Sequence, residues 1–217
     1  MFDSIIFDLD GTLLNSVPDL AQSGNYTLQE LDLPQRDIDE IAIYIGTGVE
    51  SLLHRLITGN FDGIAETKIH QKAMRIFAEH YAEHCCDKSF LYDGVIETLA
   101  QIQSQGIKMA VVSNKPKDNI PSILKHYQID HFFDYAFGAN SFEEKKPSAL
   151  PLLETMKLLD SQNCLMVGDS LSDVRAAKAA GMPVACMSYG YNHGQPVADL
   201  NPNWVLESFQ KLRTILN

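Results

Sequence analysis

The sequence predicts an α/β fold, a mostly parallel sheet covered by helices on both faces and interrupted by one helical insertion. From Tyr92 onward, short apolar runs alternate with segments of helical period, the pattern of a parallel sheet with crossover helices. Between about residues 16 and 89, by contrast, apolar residues recur only at helical spacing. The run Ile5-Ile6-Phe7 ends at Asp8-Leu9-Asp10-Gly11, as a buried strand does where it breaks into a loop.

The elements follow in order. After the first strand, Pro18 opens a helix running through Leu31, and Leu33-Pro34 ends it. Val49, Leu52, Leu53, Leu56 and Ile57 form one helical stripe, and Ile69, Ala73, Ile76, Phe77 and Tyr81 form another. A helix from Val95 to Gln105 leads through Gly106 into a strand over Ile107–Val112. Then come a helix after Asp118, a short apolar segment near Phe132–Phe137, and a helix whose start is set by Pro147. The strand Cys164–Val167, a helix to Gly181 and the strand Val184–Met187 complete the alternation. Lys211, Leu212 and Ile215 mark a closing helix. The domain reading is a core of residues 1–15 and 90–217 with residues 16–89 as a helical cap.

Composition limits the function classes. With 217 residues, 45% hydrophobic and 21% charged, the chain can bury a sizeable core. A formal net charge of −11 argues against nucleic acid or an anionic membrane as partner, since both need positive fields. It does not forbid a small anionic substrate whose site is locally cationic. Cys85, Cys86, Cys164 and Cys186 show neither metal-ligand spacing nor a disulfide framework, and read as reduced thiols. No apolar run approaches membrane-spanning length, and no leader pattern opens the chain, so the expectation is a cytoplasmic protein, monomer or homodimer.

Four polar clusters stand where strands should end, and in parallel sheets ligands bind at the carboxyl ends of strands. The first is Asp8 and Asp10 with Thr12. Two carboxylates on one side of a strand end repel unless a cation neutralises them, which points to a hard divalent metal such as Mg²⁺. An ordinary Asp-Gly turn explains that stretch equally well when it is taken alone. The second is Ser113-Asn114-Lys115, whose hydroxyl, amide and backbone N–H groups suit phosphate oxygens. Lys145-Lys146-Pro147 is the third, readable also as solvated surface charge. In the fourth, Gly168-Asp169-Ser170-Leu171-Ser172-Asp173, the two aspartates lie four residues apart, at a strand end and in the first turn of a helix.

The combination Asp-x-Asp-Gly-Thr, Ser-Asn, Lys-Pro and Gly-Asp-Ser-x-x-Asp, in this order over about residues 4–195, resembles the haloacid dehalogenase superfamily of phosphohydrolases. The resemblance implies a Rossmann-like core with a helical cap inserted after the first motif. Ala176-Ala177-Lys178-Ala179-Ala180-Gly181, Tyr189-Gly190-Tyr191-Asn192 and Gly46-Thr47-Gly48 bring it nearest to that family's phosphoglycolate phosphatase group.

By that resemblance Asp8 is the nucleophile that forms an aspartyl-phosphate, and Asp10 is the acid and base. Mg²⁺ would be held by Asp8, the backbone carbonyl of Asp10 and Asp169, with Asp173 as a direct or indirect partner. Ser113, Asn114 and Lys146 would hold the transferring oxygens, and Thr12 would orient Asp10 or its loop. Backbone N–H groups of Gly46-Thr47-Gly48 would receive a substrate carboxylate at a helix N-terminus, unless this is a plain turn; Arg55, His54 and Tyr44 are candidate helpers. A phosphatase for a sugar phosphate, a phosphosugar mutase and a non-catalytic binding protein of the same fold are the alternatives. A dehalogenase is disfavoured because Asp10 is present.

Overall fold

The computed structural model describes residues 2–216. Six strands form one parallel sheet: β1 (Ser4–Phe7), β4 (Lys108–Val112), β5 (Tyr135–Phe137), β6 (Cys164–Gly168), β7 (Val184–Met187) and β8 (Trp204–Leu206), in the order β5-β4-β1-β6-β7-β8. From the central β1 the chain builds outward first through β4 and β5, then returns to β6 and continues outward to β8. The crevice at the carboxyl end of β1, between β4 and β6, is therefore the topological switch point where such sheets bind ligands.

Side-chain alternation divides the core in two. Ile5, Phe7, Met109, Val111, Leu165 and Val167 pack on one face, and Ile6, Ala110, Val112, Cys164, Met166 and Cys186 on the other. Helices α5 (Val95–Ser104) and α6 (Ile120–His126) supply Leu99, Ile102, Ile123 and Leu124 to the first face. The second face receives Leu152 of α7 (Leu150–Leu158) and Val174 and Ala177 of α8 (Leu171–Ala179). Sequential parallel strands need such crossovers.

The segment between β1 and β4 is helical apart from one short pairing. It holds α1 (Val17–Glu30), α2 (Ile38–Tyr44), α3 (Val49–Thr58) and α4 (Thr67–His84). Before and after these helices, β2 (Leu14–Asn15) and β3 (Phe90–Leu91) pair antiparallel, Leu14 with Leu91 and Asn15 with Phe90. Asp19, fully buried in the first turn of α1, accepts the backbone N–H groups of Lys88 (2.8 Å) and Ser89 (2.9 Å), so the entry and exit of the helical segment are tied together.

Four features differ from the sequence reading. The β2–β3 pair and β8 were not expected, because strands of two or three residues carry no readable period. Pro147 does not start a helix: α7 begins at Leu150, after Ser148 Oγ accepts the Leu150 N–H at 3.2 Å. The closing helix is short, a 3₁₀ turn over Phe209–Leu212 followed by α9 (Arg213–Leu216).

Leu165 has no exposed surface and stands beside Ile5 in the sheet. Leu165→Ala is expected to cost about 2–5 kcal/mol of stability, read as a lower urea midpoint with unchanged slope.

Candidate active site

Asp8 is the first residue past β1. Its backbone N–H still bonds Val167 O (2.9 Å), and from Leu9 the chain turns. Leu9 O accepts the N–H groups of Leu13 (2.9 Å) and Leu14 (3.0 Å), while Leu9 and Leu13 are fully buried beneath the turn. Gly11 adopts φ +83°, and a Cβ there would stand 2.2 Å from Asp169 Oδ2, so both the turn and the close approach of the next loop require glycine.

Three buried carboxylates converge, Asp8, Asp169 and Asp173, with one oxygen of each within 4.8 Å of the others. Asp173 occupies the first turn of α8. Its Oδ2 accepts the Asp169 N–H (3.1 Å), the Ser170 N–H (3.0 Å) and the Ser170 hydroxyl (2.8 Å), a capping box that shapes the whole strand-end loop. Its Oδ1 accepts from Lys146 Nζ at 2.7 Å, and the same ammonium stands 3.0 Å from Asp8 Oδ1. Asp169 accepts the Thr12 hydroxyl (2.7 Å) and the Tyr191 N–H (2.6 Å). Asp8 Oδ1 also accepts the Leu9 N–H at 2.7 Å.

Lys146 is only 1% exposed, so the surface reading of the Lys-Lys pair fails for it. Burial lowers its pKa, but Asp173 and Asp8 outweigh that and hold it above the usual lysine range. One ammonium does not neutralise three carboxylates. Burial first, then Asp173 and Asp10, push Asp8 up to about 7 against the opposing pull of Lys146. Asp169 is raised well above its ordinary value by burial, Asp173 and Asp8. A buried all-oxygen donor set with surplus negative charge fits a hard divalent cation such as Mg²⁺.

A second buried ammonium completes the floor. Lys115 Nζ lies 2.9 Å from both Asp10 oxygens and 4.8 Å from the centre of the Tyr81 ring on α4. Asp10 and neighbouring Tyr81 hold the Lys115 pKa above its usual range although burial pulls it down. Its backbone N–H bonds Ser113 Oγ (3.2 Å). The Asn114 amide donates to Lys146 O (2.9 Å), which links the β4 loop to the Lys146 loop and leaves Asn114 Oδ1 buried without a partner.

Above this floor lies a cavity of about 330 Å³, between the strand ends and the helical segment. Asp8, Asp10, Ser113, Asn114 and Lys115 line it from the sheet side. Leu20, Val49, Leu52, Phe77 and Tyr81 line it from the helices.

The structure thus brings together Asp8, Asp10, Asp169, Asp173, Ser113, Asn114 and Lys146, and Gly46 and Gly48 line the same cavity. Thr12 is fully buried and its hydroxyl donates to Asp169, so of the two expected roles it is the Asp8–Thr12 loop, not the Asp10 side chain, that it ties in place. The Asp10 carboxylate is engaged by Lys115, which leaves its backbone carbonyl as the group available to a metal. The carbonyl of Thr47 accepts from Lys145 Nζ (3.4 Å) and that of Gly46 from Ser172 Oγ (3.4 Å), so this turn docks on the core.

The three candidate helpers are not at the site. Arg55 donates to Tyr44 O (2.6 Å) and Phe61 O (3.0 Å) and covers the Phe61 ring, His54 stacks on His70, and the Tyr44 hydroxyl bonds Glu40. Lys115 and Tyr81 are the members the sequence reading missed. Lys115 read as the tail of a polar loop and Tyr81 as one more position of a helical stripe.

A parallel sheet whose strand ends gather three carboxylates and two buried lysines, with a helical segment inserted behind the first of them, defines a hydrolase of one family. The chain belongs to the haloacid dehalogenase-like hydrolases, whose family model matches residues 5–187. Among relatives, the phosphoglycolate phosphatase of Nitrosococcus oceani is 37% identical over 99% of this chain and 96% of its own length. That of Aliivibrio fischeri is 38% identical over 98% and 96%. The crystal structure of a Haemophilus somnus protein described as a predicted phosphoglycolate phosphatase superposes with a TM-score of 0.93 at 35% identity, covering 100% of this chain and 98% of the other.

The raised Asp8 pKa makes a stability prediction for the protein in chelator. In the folded chain Asp8 keeps its proton up to about 7, whereas unfolded it loses it near 3.8, so the folded state binds the extra proton between those values. The contribution of Asp8 therefore falls as pH rises through this window, and Asp8→Asn, which never ionises, is expected to gain stability relative to wild type from pH 4 to 7. Denaturant midpoints of the two proteins across that range check it; a constant difference would contradict it.

Proposed function

We propose that the chain is a Mg²⁺-dependent phosphomonoesterase of a small phosphorylated metabolite, 2-phosphoglycolate being the first candidate, and that it works through an aspartyl-phosphate. The carrying observation is Asp8, buried at the end of the central strand between Lys146 and Asp169 and opening onto the cavity. The full-length relatives named phosphoglycolate phosphatase support the substrate.

In this reading an Asp8 carboxylate oxygen attacks phosphorus, and the ester oxygen leaves with its electron pair, taking a proton from Asp10. Water then attacks phosphorus, gives its proton to Asp10, and breaks the acyl-phosphate bond to release phosphate and restore Asp8. Lys146, Ser113 and Asn114 hold the transferring oxygens where charge accumulates. Asp8, Asp169 and the Asp10 carbonyl would hold Mg²⁺, with Asp173 fixing Asp169 and Lys146; the ion supplies charge neutralisation between the carboxylate and the phosphate dianion.

The helical segment acts as a cap that shields the reaction from water. The substrate is the one partner proposed, with no nucleic acid and no membrane, for a monomer or homodimer working in the cytoplasm. The surplus negative charge and four unpaired cysteines support this setting.

The test is phosphate release from a panel that includes 2-phosphoglycolate and sugar phosphates. Asp8→Asn is expected to lose on the order of 10⁴-fold or more in kcat, and Asp10→Asn about 10²- to 10⁴-fold. Chelation is expected to abolish activity and added Mg²⁺ to restore it. Unchanged turnover in Asp8→Asn would end the mechanism.

A further inference from the structure

The cavity has a floor that chemistry explains and a wall that it does not. Lys115 is the one cationic side chain lining it among the described residues, alongside the carboxylates of Asp8, Asp10 and Asp118. Asp118 is exposed at the rim, where water screens it. Two of the three Lys115 donors rest on Asp10, which leaves one N–H on the Tyr81 side. Tyr81, from the cap, lines the same cavity; it is 3% exposed, and its hydroxyl, with Lys115 as its polar neighbour, makes no hydrogen bond of good geometry. A buried, unpartnered phenol beside a buried ammonium is costly unless something polar arrives to meet it.

We propose that Lys115 and Tyr81 form a carboxylate subsite on the leaving-group side of the cavity. The two residues thereby select the carboxylated ester already proposed over one without a carboxylate. The inference rests on the phosphomonoesterase reading and assigns the groups that set its specificity. An ammonium N–H and a phenolic O–H converging from core and cap are the two donors that a carboxylate's two oxygens require. Because Lys115 is simultaneously on Asp10, this places the acid group of the substrate next to the residue that protonates its ester oxygen.

The remaining cap wall excludes sugars. Leu20, Val49, Leu52, Met74, Phe77 and Ala78 offer no side-chain hydrogen-bonding group, so each sugar hydroxyl turned toward them loses water without replacement. The Gly46-Thr47-Gly48 turn was the expected carboxylate receiver. Its contribution is the partial charge of a helix end, about half a unit, whereas Lys115 and Tyr81 each bring a side-chain donor to the cavity. It serves as wall and docking contact.

The experiment compares 2-phosphoglycolate with ethyl phosphate, which has the same two carbons and no carboxylate, in wild type, Tyr81→Phe and Lys115→Met with Mg²⁺ present. Wild type is expected to prefer 2-phosphoglycolate by on the order of 10²-fold in kcat/KM. Each variant is expected to reduce that ratio at least about tenfold, through a raised KM for the carboxylated ester in Tyr81→Phe and with a lower kcat on both esters in Lys115→Met.

Lys115→Arg, which keeps the charge, is expected to recover part of the preference. Tyr81→Phe keeps the ring stacked on Phe77 and decides alone if Lys115→Met does not fold. A ratio unchanged in the variants overturns the subsite. A wild type that hydrolyses ethyl phosphate but not 2-phosphoglycolate overturns the substrate assignment, and one that hydrolyses neither overturns the phosphomonoesterase reading itself.

Discussion

Lys146 is the point on which the site's geometry turns. Its ammonium joins Asp8, at the end of β1, to Asp173, in the first turn of α8, at 3.0 and 2.7 Å. With 1% exposure it cannot be replaced by solvent, and removing one member of a buried pair of this kind costs about 3–5 kcal/mol because the other is left uncompensated. Asp173 in turn fixes the backbone of Asp169 and Ser170, and Asp169 fixes Thr12 and Tyr191. One cation thus sets the distance between loops that leave three separate parts of the chain, and Asp8 is held in place without any ligand.

How much of this was legible in the sequence depended on whether a feature is local. The central strands were readable because Ile5-Ile6-Phe7, Met109–Val112 and Cys164–Val167 are apolar runs long enough to show buried strands. The two-residue strands at Leu14 and Phe90 have no such length; they exist because the chain must cross between sheet and helices there. Asp8 was legible as part of a strand-end pair and Asp169 and Asp173 by their four-residue spacing, whereas Lys146 was legible only through the family resemblance of its Lys-Pro motif. The Asp173–Lys146 pairing was not, since it is a contact across 27 residues that local pattern does not encode.

Lys115 and Tyr81 were obscured for a related reason. A lysine after a strand end is ordinarily solvated, and a tyrosine in a helical stripe is ordinarily core; only the fold puts Lys115 on Asp10, 105 residues away, and the phenol beside it. The misassignments of Arg55, His54 and Tyr44 are the converse case. These residues look chemical in the sequence and are spent on holding α2, α3 and the Phe61 loop together.

The pairing of Leu14–Asn15 with Phe90–Leu91 has a consequence for how such a protein can diversify. Because the chain leaves and re-enters the sheet side by side, the closure of the long excursion is already made in the core. Its length then weighs little on the sheet, since loop-closure entropy grows only with the logarithm of loop size. Helices can be lengthened, shortened or exchanged between those two strands while the carboxylates and Lys146 stay where they are. The architecture separates what is held constant, the carboxylates and lysines at the strand ends, from what is free to vary, the shape and polarity of the chamber above them.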